Sequence, residues 1–387
     1  MTPRAVTGLG VCSAIGIGRE AFFRALATPV LLKDAPRRPI ESFDASKFED
    51  AAVAEVPDFD PTKFLGDKGL RTLDRLTKLL VVATRLASHD AGLKKDGVFV
   101  EPASPGAVGI VCSNAYGSLE AITELNRVAV LEDARYINPA KFPNTVANSA
   151  SGYASIWEEL RALNVAVSDG NCGALDAVAI ADVHLASARA DALLVGGAEA
   201  ASAALFLAFH RLGMLEAGAM LGEGVAMLAL EREDFAKRRG AKVLARVLGF
   251  GTAFDAPEQV RQMIFASGEA MRRAIRDCLD DAGVRADEID LVASGVSGLR
   301  PFDMAELAAI KEVVGERVCV SMPKALVGET LGAGGAMALA CTVGWLQGIA
   351  PAAVIEGKAP AQVRTALVTT MGYYGNASAV LLQSPPS

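Results

Sequence analysis

The ten residues SDGNCGALDA, from Ser168 to Ala177, are of the types with which many enzymes mount a nucleophile. They follow a short apolar run typical of a strand and precede a stretch typical of a helix. A turn of small residues between strand and helix exposes one side chain and directs the N–H groups of the helix end at it. Cys172 is the candidate nucleophile, but Asn171 precedes it. Which of the two lies at the apex decides whether a thioester can form here.

The composition is that of a globular chain, with 51% hydrophobic and 21% charged residues among 387. This length allows two or more structural halves with a large core. The net charge of −7 and the lack of a long basic run argue against nucleic acid as a main partner. Six scattered cysteines without a CxxC pair, and a start without a long apolar segment, predict free thiols in a reducing, cytoplasmic setting.

No cofactor or metal ion is predicted. The early glycines at 8, 10 and 16 lack the spacing of a dinucleotide site. The three histidines, His89, His184 and His210, lie in helix-like segments without metal-ligand spacing. The uncharged run from Thr330 to Ile355 is long enough to cross a bilayer, but glycines and a proline interrupt it. It favours a helix buried in a core or interface over a membrane span.

Strand-like and helix-like segments alternate along the chain, which predicts an α/β architecture in layers. The strand-like runs include NVAV, ALLVGG and GEGVAMLALERED in the first part and AKVLARVLGFG and IDLVASGVSG in the second. A long amphipathic helix is predicted within PEQVRQMIFASGEAMRRAIRDCLDDAGV. Because the order of elements in residues 1–235 resembles that in 236–387, we predict an internal duplication into two halves with these boundaries.

Seven segments together resemble the β-ketoacyl synthase family. They are VTGLGVCSAIG, FDPTKFLGDKGLRTLDRLTKLL, FPNTVANSASG, ALLVGGAEA, LGEGVAMLALE, AELAAIKEVVG and MGYYGNASAVLL. They follow that family's order and cover nearly the whole chain. The resemblance implies the thiolase fold, in which two similar βαβαβαββ halves form α/β/α/β/α layers.

The same resemblance implies where the catalytic groups should lie. Condensing members of the family use a cysteine that carries the acyl chain, and two histidines that donate hydrogen bonds to the developing oxyanion. The family spacing back from Asp191 places the nucleophile at Asn171, so that Cys172 falls one place late. The two histidine positions fall on Ser294 and Glu329.

Two charged residues keep the family's identity, namely Glu306 and Lys324. The central groups are nevertheless replaced, because asparagine cannot form a thioester and an ionised Glu329 would repel an enolate. Such a chain resembles the chain length factor of type II polyketide synthases, where the elbow typically reads GQAGGLDA and here reads GNCGALDA. The resemblance implies a noncatalytic partner that pairs with an active ketosynthase, completes its polyketide tunnel, receives an acyl carrier protein and helps to set chain length.

Two enzymatic alternatives stay open at this point. A homodimeric β-ketoacyl-ACP synthase-like acyltransferase would use Cys172, since a helix N-terminus lowers the pKa of a thiol. A malonyl decarboxylase without acyl transfer would depend on Asn171. Glu329 is equally compatible with a structural role, as the ion-pair partner of Lys324.

Four residues are predicted near a polyketide tunnel. Leu119 and Ile122, three apart on the helix after the third strand, would floor the tunnel at a dimer interface. Tyr373 or Tyr374, in the turn GYYG, would gate the cavity. Ordinary core packing is the alternative for all four.

A further expectation concerns the dimer seam. The helix that opens at Cys172 repeats small and apolar residues at helical spacing, at Leu175, Val178, Ala181 and Leu185. We expect this face to be exposed in an isolated chain and covered by a partner.

Overall fold

The computed structural model describes residues 2–48, 51–215, 219–257 and 264–386. The strands are β1 (Arg4–Ser13), β2 (Gly16–Ile17), β3 (Lys94–Lys95), β4 (Val98–Phe99), β5 (Val108–Ser113), β6 (Asn164–Val167), β7 (Ala192–Glu199), β8 (Gly224–Arg232), β9 (Ala245–Phe254), β10 (Leu291–Ala293), β11 (Cys319–Ser321), β12 (Val354–Glu356), β13 (Thr365–Met371) and β14 (Asn376–Gln383). The helices are α1 (Arg19–Ala27), α2 (Thr62–Leu65), α3 (Arg75–Asp90), α4 (Leu119–Val128), α5 (Ser149–Trp157), α6 (Gly173–Ala186), α7 (Ala203–Arg211), α8 (Glu233–Arg238), α9 (Gly268–Ala282), α10 (Arg300–Val313), α11 (Lys324–Val327) and α12 (Gly334–Leu346).

The main sheet contains the same strand arrangement twice. Its order is β12-β11-β10-β13-β14-β9-β1-β8-β7-β5-β6, so that β6-β5-β7-β8-β1 repeats as β11-β10-β13-β14-β9. In each repeat the outer two pairings are parallel and the inner two are antiparallel. The halves join where β1 pairs antiparallel with β9. The duplicated α/β fold predicted from the order of elements is therefore confirmed, whereas the boundary at residue 235 stays a prediction.

Two helices lie at the centre of the molecule, one from each half. α6 and α12 contact each other and pack in one core with strands of both halves. α3 and α5 cover the outer face of the first half, and α9 and α10 cover that of the second. All residues of α12 are buried, which confirms that the uncharged run forms a core helix. In the part of the chain that the structure describes, no helix is long and apolar enough to cross a membrane.

The prediction that one face of α6 lies at a dimer seam is wrong. Leu175, Val178, Ala181 and Leu185 are at most 3% exposed within the single chain. They belong to the core that α6 shares with α12 and the strands of both halves. Helical periodicity shows that a face is buried but does not show whether the same chain or a partner covers it.

The long helix predicted from residue 257 is shorter than expected. α9 begins at Gly268, where the side chain of Ser267 accepts a hydrogen bond from the N–H of Ala270. Immediately before it, the N–H of Phe265 donates to the Tyr373 carbonyl at 2.9 Å, so the chain is engaged with another segment rather than helical. Residues 258–263 of the predicted helix lie outside the described residues.

Candidate functional site

The opening motif forms a tight turn between β6 and α6. A single 3-10 turn spans Gly170–Cys172, and Gly170 has a φ of +53°, a conformation that glycine adopts at little cost. The turn that leads into α12, Leu331–Ala333, contacts it from the second half. The starts of the two central helices thus meet, and the predicted site residues gather around this junction.

Asn171 is buried in this turn, with 3% of its surface exposed. Its side chain lies beside the Tyr373 hydroxyl, and burial raises the pKa of that hydroxyl well above its ordinary value. The Asn171 Oδ1 atom has no hydrogen-bond partner among the described residues. The amide of Asn171 thus lies toward the Tyr373 side of the turn, and its place at the nucleophile position of the family stays a prediction.

Cys172 faces other groups. Its Sγ atom lies 3.6 Å from the Thr370 carbonyl oxygen, and the residue is fully buried. Burial raises the pKa of the thiol, and the nearby carboxyl groups of Asp176 and Asp169 raise it further. The thiol is thus held in its protonated form, which is a poor nucleophile.

Glu329 and Lys324 form a buried ion pair beside Asn171. The Lys324 Nζ atom lies 2.7 Å from Glu329 Oε2, and the side chains are 6% and 1% exposed. The N–H of Leu331 donates to Glu329 Oε1 at 2.9 Å, and the Tyr373 hydroxyl lies 3.4 Å from Oε2. The carboxylate predicted at the second histidine position is therefore fixed by three donors.

Among the described residues, no hydrogen bond joins the Ser294 side chain to the ion pair of Glu329 and Lys324. Its hydroxyl donates to the Ser321 carbonyl at 2.8 Å, across two neighbouring strands. The neighbouring N–H of Gly295 donates to Glu306 Oε1, which also accepts from Thr369 at 2.7 Å. Burial raises the pKa of Glu306 to about 7, and the charge of Lys324 opposes that rise. Glu306 thus holds the turn that follows β10, and its carboxyl group feels the charge of Lys324.

Glu199, at the end of β7, is a site residue that sequence reasoning missed. Its Oε2 atom accepts from the N–H of Ala115 at 2.8 Å and from that of Gly332 at 3.2 Å. Burial raises its pKa to about 8, and Glu329 adds to the rise. Glu199 stands two residues after the glycine pair of ALLVGGAEA, one of the segments that carry the family resemblance. Glu199 and Glu329 together occupy the N–H groups of the turn before α12.

A pair of carboxyl groups behind the first turn was also missed. The Asp169 and Asp176 side chains hydrogen-bond each other, and burial raises the pKa of Asp176 to about 7. Ser378 lies 2.6 Å from Asp176, and Asn376 donates to Asp169 at 2.9 Å. Because these partners lie on β14, the acid pair ties the first half of the chain to the second.

An apolar cavity of about 470 Å³ lies on one side of Tyr373. Leu119, Tyr373 and Tyr374 all line it. Ile122 does not, and is 36% exposed on the surface of α4. The structure therefore separates the two residues that the sequence placed together on a tunnel floor.

A second cavity, of about 340 Å³, lies on the side of the ion pair. Lys324 and Glu329 line it together with Lys33 and apolar residues such as Met322 and Ile355. Among the described residues, none lines both cavities. The contact between Tyr373 and Glu329 connects the two linings.

The described residues contain no cluster of histidine, cysteine, aspartate or glutamate that could hold a metal ion. His210 packs against the ring of Phe48, and neither His89 nor His184 lines either cavity. The junction thus offers an amide, a phenol and a compensated ion pair. None of these groups is an activated nucleophile or an imidazole donor.

Known sequences resemble this chain over most of its length. The profile of the beta-ketoacyl synthase N-terminal domain matches residues 1–236, and that of the C-terminal domain matches residues 244–354. The 3-oxoacyl-(acyl-carrier-protein) synthase 2 of Vibrio cholerae is 30% identical over 360 residues, which cover 87% of this chain and 84% of the relative. The putative polyketide beta-ketoacyl synthase 2 of Streptomyces halstedii is 29% identical, with 98% and 96% covered.

Solved structures share the fold throughout. The ishigamide ketosynthase/chain length factor superposes with a TM-score of 0.89 at 26% identity, over 100% of both chains. The complex AntDE:AntF, a type II polyketide synthase ketosynthase with its acyl-carrier protein, gives a TM-score of 0.83 at 20% identity, also over 100% of both chains. The second likeness concerns the fold alone.

Proposed function

The chain belongs to the β-ketoacyl synthase family, and from that premise we propose that it is a noncatalytic chain length factor. In this role it pairs with an active ketosynthase, completes the tunnel that holds the growing polyketide, and helps to set chain length. An acyl carrier protein docks on the pair and delivers the chain. The likeness to the ishigamide ketosynthase/chain length factor supports this choice.

The observation that carries the proposal is the ion pair of Glu329 with Lys324. A condensing site needs hydrogen-bond donors aimed at the developing oxyanion. Here the corresponding place holds a carboxylate that takes donors for itself, from Lys324, Leu331 and Tyr373. An anionic transition state at this position would meet a negative charge rather than a donor. The polar groups of the site are thus used to stabilise the fold.

Two exposed features of the chain support a partner protein. β6 is the last strand of the sheet, and one of its edges is unpaired in the described residues. Four large hydrophobic side chains in the segment after α4 are between 63% and 72% exposed, namely Val130, Leu131, Tyr136 and Phe142. Exposed apolar groups of this size are typical of an interface, and a free strand edge is a surface that a partner can pair with.

Co-expression with candidate ketosynthases that keep the cysteine and both histidines tests the partner role. We expect a 1:1 complex on size exclusion, with a buried area on the order of 2,000 Å² or more, as obligate interfaces show. Leu131→Asp should abolish the complex. The matched control is Val98→Asp, on the β3–β4 hairpin, which is 69% exposed and should leave the complex intact. A chain that stays alone with every such ketosynthase contradicts the proposal.

The second candidate is a homodimeric acyltransferase that uses Cys172, and the identity to a 3-oxoacyl synthase favours it. The chain is incubated with acyl and malonyl carrier protein, and its intact mass is measured. We expect no adduct, because the Cys172 thiol is buried and its pKa is raised. A stable acyl adduct that the variant Cys172→Ala loses would establish the enzyme instead.

A further inference from the structure

The second cavity, of about 340 Å³, lies at an edge of the sheet that suits a small ligand. Ser297, in the turn after β10, and Met322, directly after β11, both line it. Because β10 and β11 are parallel neighbours, their carboxyl ends lie at the same edge. In open α/β sheets, ligands bind in the crevice outside the carboxyl ends of the strands. The volume of the cavity also falls in the range of small-molecule sites.

Two ammonium groups belong to the lining of this cavity, those of Lys33 and Lys324. The Lys324 side chain is only 6% exposed, and its Nζ atom lies 2.7 Å from Glu329 Oε2. An ammonium group has three N–H donors, so this contact leaves donors for another acceptor. Lys33 is exposed, on the 3-10 turn Leu32–Asp34. The lining therefore combines a buried cation with an exposed one.

The one carboxylate in the described lining, that of Glu329, is already used within the chain. Its Oε1 atom accepts from the N–H of Leu331, and its Oε2 atom accepts from Lys324. Lys324 thus balances the charge of Glu329, and the charge of Lys33 is left over among the described lining residues. A ligand with one negative charge would balance it, whereas a cationic ligand would meet two groups of its own sign.

Most of the remaining described lining is apolar. Leu31 and Leu32 contribute to it from the segment after α1, and Val354 and Ile355 contribute to it from β12. A bare anion would leave these side chains in contact with water. A ligand that also carries an apolar group would gain free energy by covering them. The cavity is therefore suited to an anion with an apolar body.

We propose that the second cavity binds a small organic anion without a covalent bond. A single negatively charged group of the ligand, such as a carboxylate, contacts Lys33 and Lys324, and its apolar body packs against Ile355 and the apolar side chains beside it. The site belongs to the isolated chain, so it does not depend on a role beside a ketosynthase.

Calorimetry on the purified chain tests this proposal with benzoate, benzamide and acetate. Benzamide keeps the ring of benzoate without its charge, and acetate keeps the charge without the ring. We expect benzoate to bind about 10-fold more tightly than either of the other two. A higher salt concentration should weaken the binding of benzoate but not that of benzamide, because salt screens the exposed charge of Lys33.

Exposed positions supply variants that spare the core. Lys33→Met should weaken benzoate binding several-fold and leave benzamide binding unchanged, whereas Lys33→Arg keeps the charge and should preserve both affinities. Ile355→Asp, at a residue that is 40% exposed, should weaken benzoate binding because it sets a like charge against the ligand. The matched control is Lys358→Met, since Lys358 is exposed just after β12 and does not line the cavity.

Equal affinity for benzoate and benzamide, or benzoate binding that Lys33→Met leaves unchanged, overturns the proposal. Acetate binding as tight as that of benzoate contradicts the need for an apolar body and overturns it as well. If Ile355→Asp does not fold, the two Lys33 variants decide. Because the assay uses the chain alone, its outcome is separate from that of complex formation with a ketosynthase.

Discussion

The turns that open α6 and α12 occupy equivalent places in the two halves, yet their polar groups are used differently. Both contain a residue with positive φ, Gly170 in the first and Leu331 in the second. In the second turn two carboxylates accept the backbone N–H groups of Leu331 and Gly332. In the first, the Oδ1 atom of Asn171 has no partner among the described residues. The turn before α12 is thus held by the carboxylates of Glu329 and Glu199. The turn before α6 instead presents an amide whose oxygen lacks a partner among the described residues.

This difference shows that the N–H groups of the second turn are engaged within the chain itself. Gly332 approaches the backbone of Asn114 and Ala115 so closely that a Cβ atom would lie 2.4 Å from the Ala115 nitrogen. The tight approach brings Glu199 and Glu329 within reach of successive N–H groups, which are then unavailable to a substrate anion. The fold keeps the geometry of an anion site, and acidic side chains of the same chain fill it.

The largest expected effect concerns the first turn. Asn171→Cys should allow acyl transfer but not condensation, because Ser294 and Glu329 supply neither missing donor. Losing one oxyanion donor typically costs about 10²–10³ in rate, so the variant should stay on the order of 10⁴-fold or more below an ordinary synthase. Intact mass reports the thioester, and condensation is followed with malonyl carrier protein.

The matched comparison for that variant is the triple substitution Asn171→Cys, Ser294→His, Glu329→His. It keeps Lys324 and Glu306 and should recover part of the lost rate. Condensation by the single variant at the rate of an ordinary synthase would show that the donors come from elsewhere, and that the pinned second turn is not what blocks the reaction.

The family resemblance predicted Asn171 and Glu329 near these two turns, and the structure places Asn171 in the first turn and Glu329 two residues before the second. Their correspondence to the family's catalytic positions stays a prediction. Tertiary partners could not be read in the same way. The periodic face of α6 was expected to be exposed in the isolated chain, because periodicity does not show that α12 and the strands cover it. The sequence likewise does not show that the Glu199 carboxylate accepts from two N–H groups distant along the chain.

The next largest effect is expected on the stability of the folded chain, from a substitution at the turn before α12. Glu329→Ala leaves Lys324 buried without a partner, which should lower the free energy of unfolding by about 3–5 kcal/mol. The control is Glu356→Ala, which breaks the exposed pair with Lys311 and should cost less than about 1 kcal/mol. Urea unfolding of both variants measures the difference.

A double variant tests whether the loss of stability comes from the unpaired charge of Lys324 or from lost side-chain contacts. Adding Lys324→Met to Glu329→Gln removes both charges and keeps an acceptor for the N–H of Leu331. Replacement of a buried pair is often nearly neutral, so the double variant should be more stable than Glu329→Ala. A loss for Glu329→Ala no larger than that of the exposed control would mean that the second turn is not pinned by its acid.

A smaller effect should appear as a pH dependence of stability. The pKa of Asp176 rises from 3.8 to about 7 in the folded chain, mainly because burial disfavours its charged form. Since the folded state holds this proton more tightly than the unfolded state, its contribution to stability is fully present below pH 3.8. It is lost as the pH rises through about 7. The raised pKa values of Glu306, about 7, and of Glu199, about 8, also make the folded chain less stable as the pH rises through those values.

Asp176→Asn isolates this contribution. The variant cannot ionise, so its free energy of unfolding relative to the parent should increase by up to about 1 kcal/mol per pH unit between pH 4 and 7. Asp280→Asn, exposed on α9, is the control and should give a flat difference. A flat difference for Asp176→Asn as well would show that the acid pair behind the first turn carries no bound proton at neutral pH.

The smallest effect is expected on chain length, where α4 separates a cavity residue from a surface residue. Ile122 is exposed in the single chain, so it acts on a tunnel only if the partner covers it; Leu119 already lines the cavity beside Tyr373. A change of side-chain size in an apolar site alters preference by about 1–3 kcal/mol, which shifts a product distribution without replacing it. In the reconstituted pair, Ile122→Ala should lengthen the product and Ile122→Trp should shorten it, as read by product mass. Leu119→Ala tests whether the chain's own cavity takes part, and Thr123→Ala, exposed on the same helix, is the control. If both Ile122 substitutions leave the product distribution unchanged while the complex stays intact, the exposed face of α4 does not limit the length of the polyketide. A change caused by Leu119→Ala alone would mean that the cavity inside this subunit sets the limit.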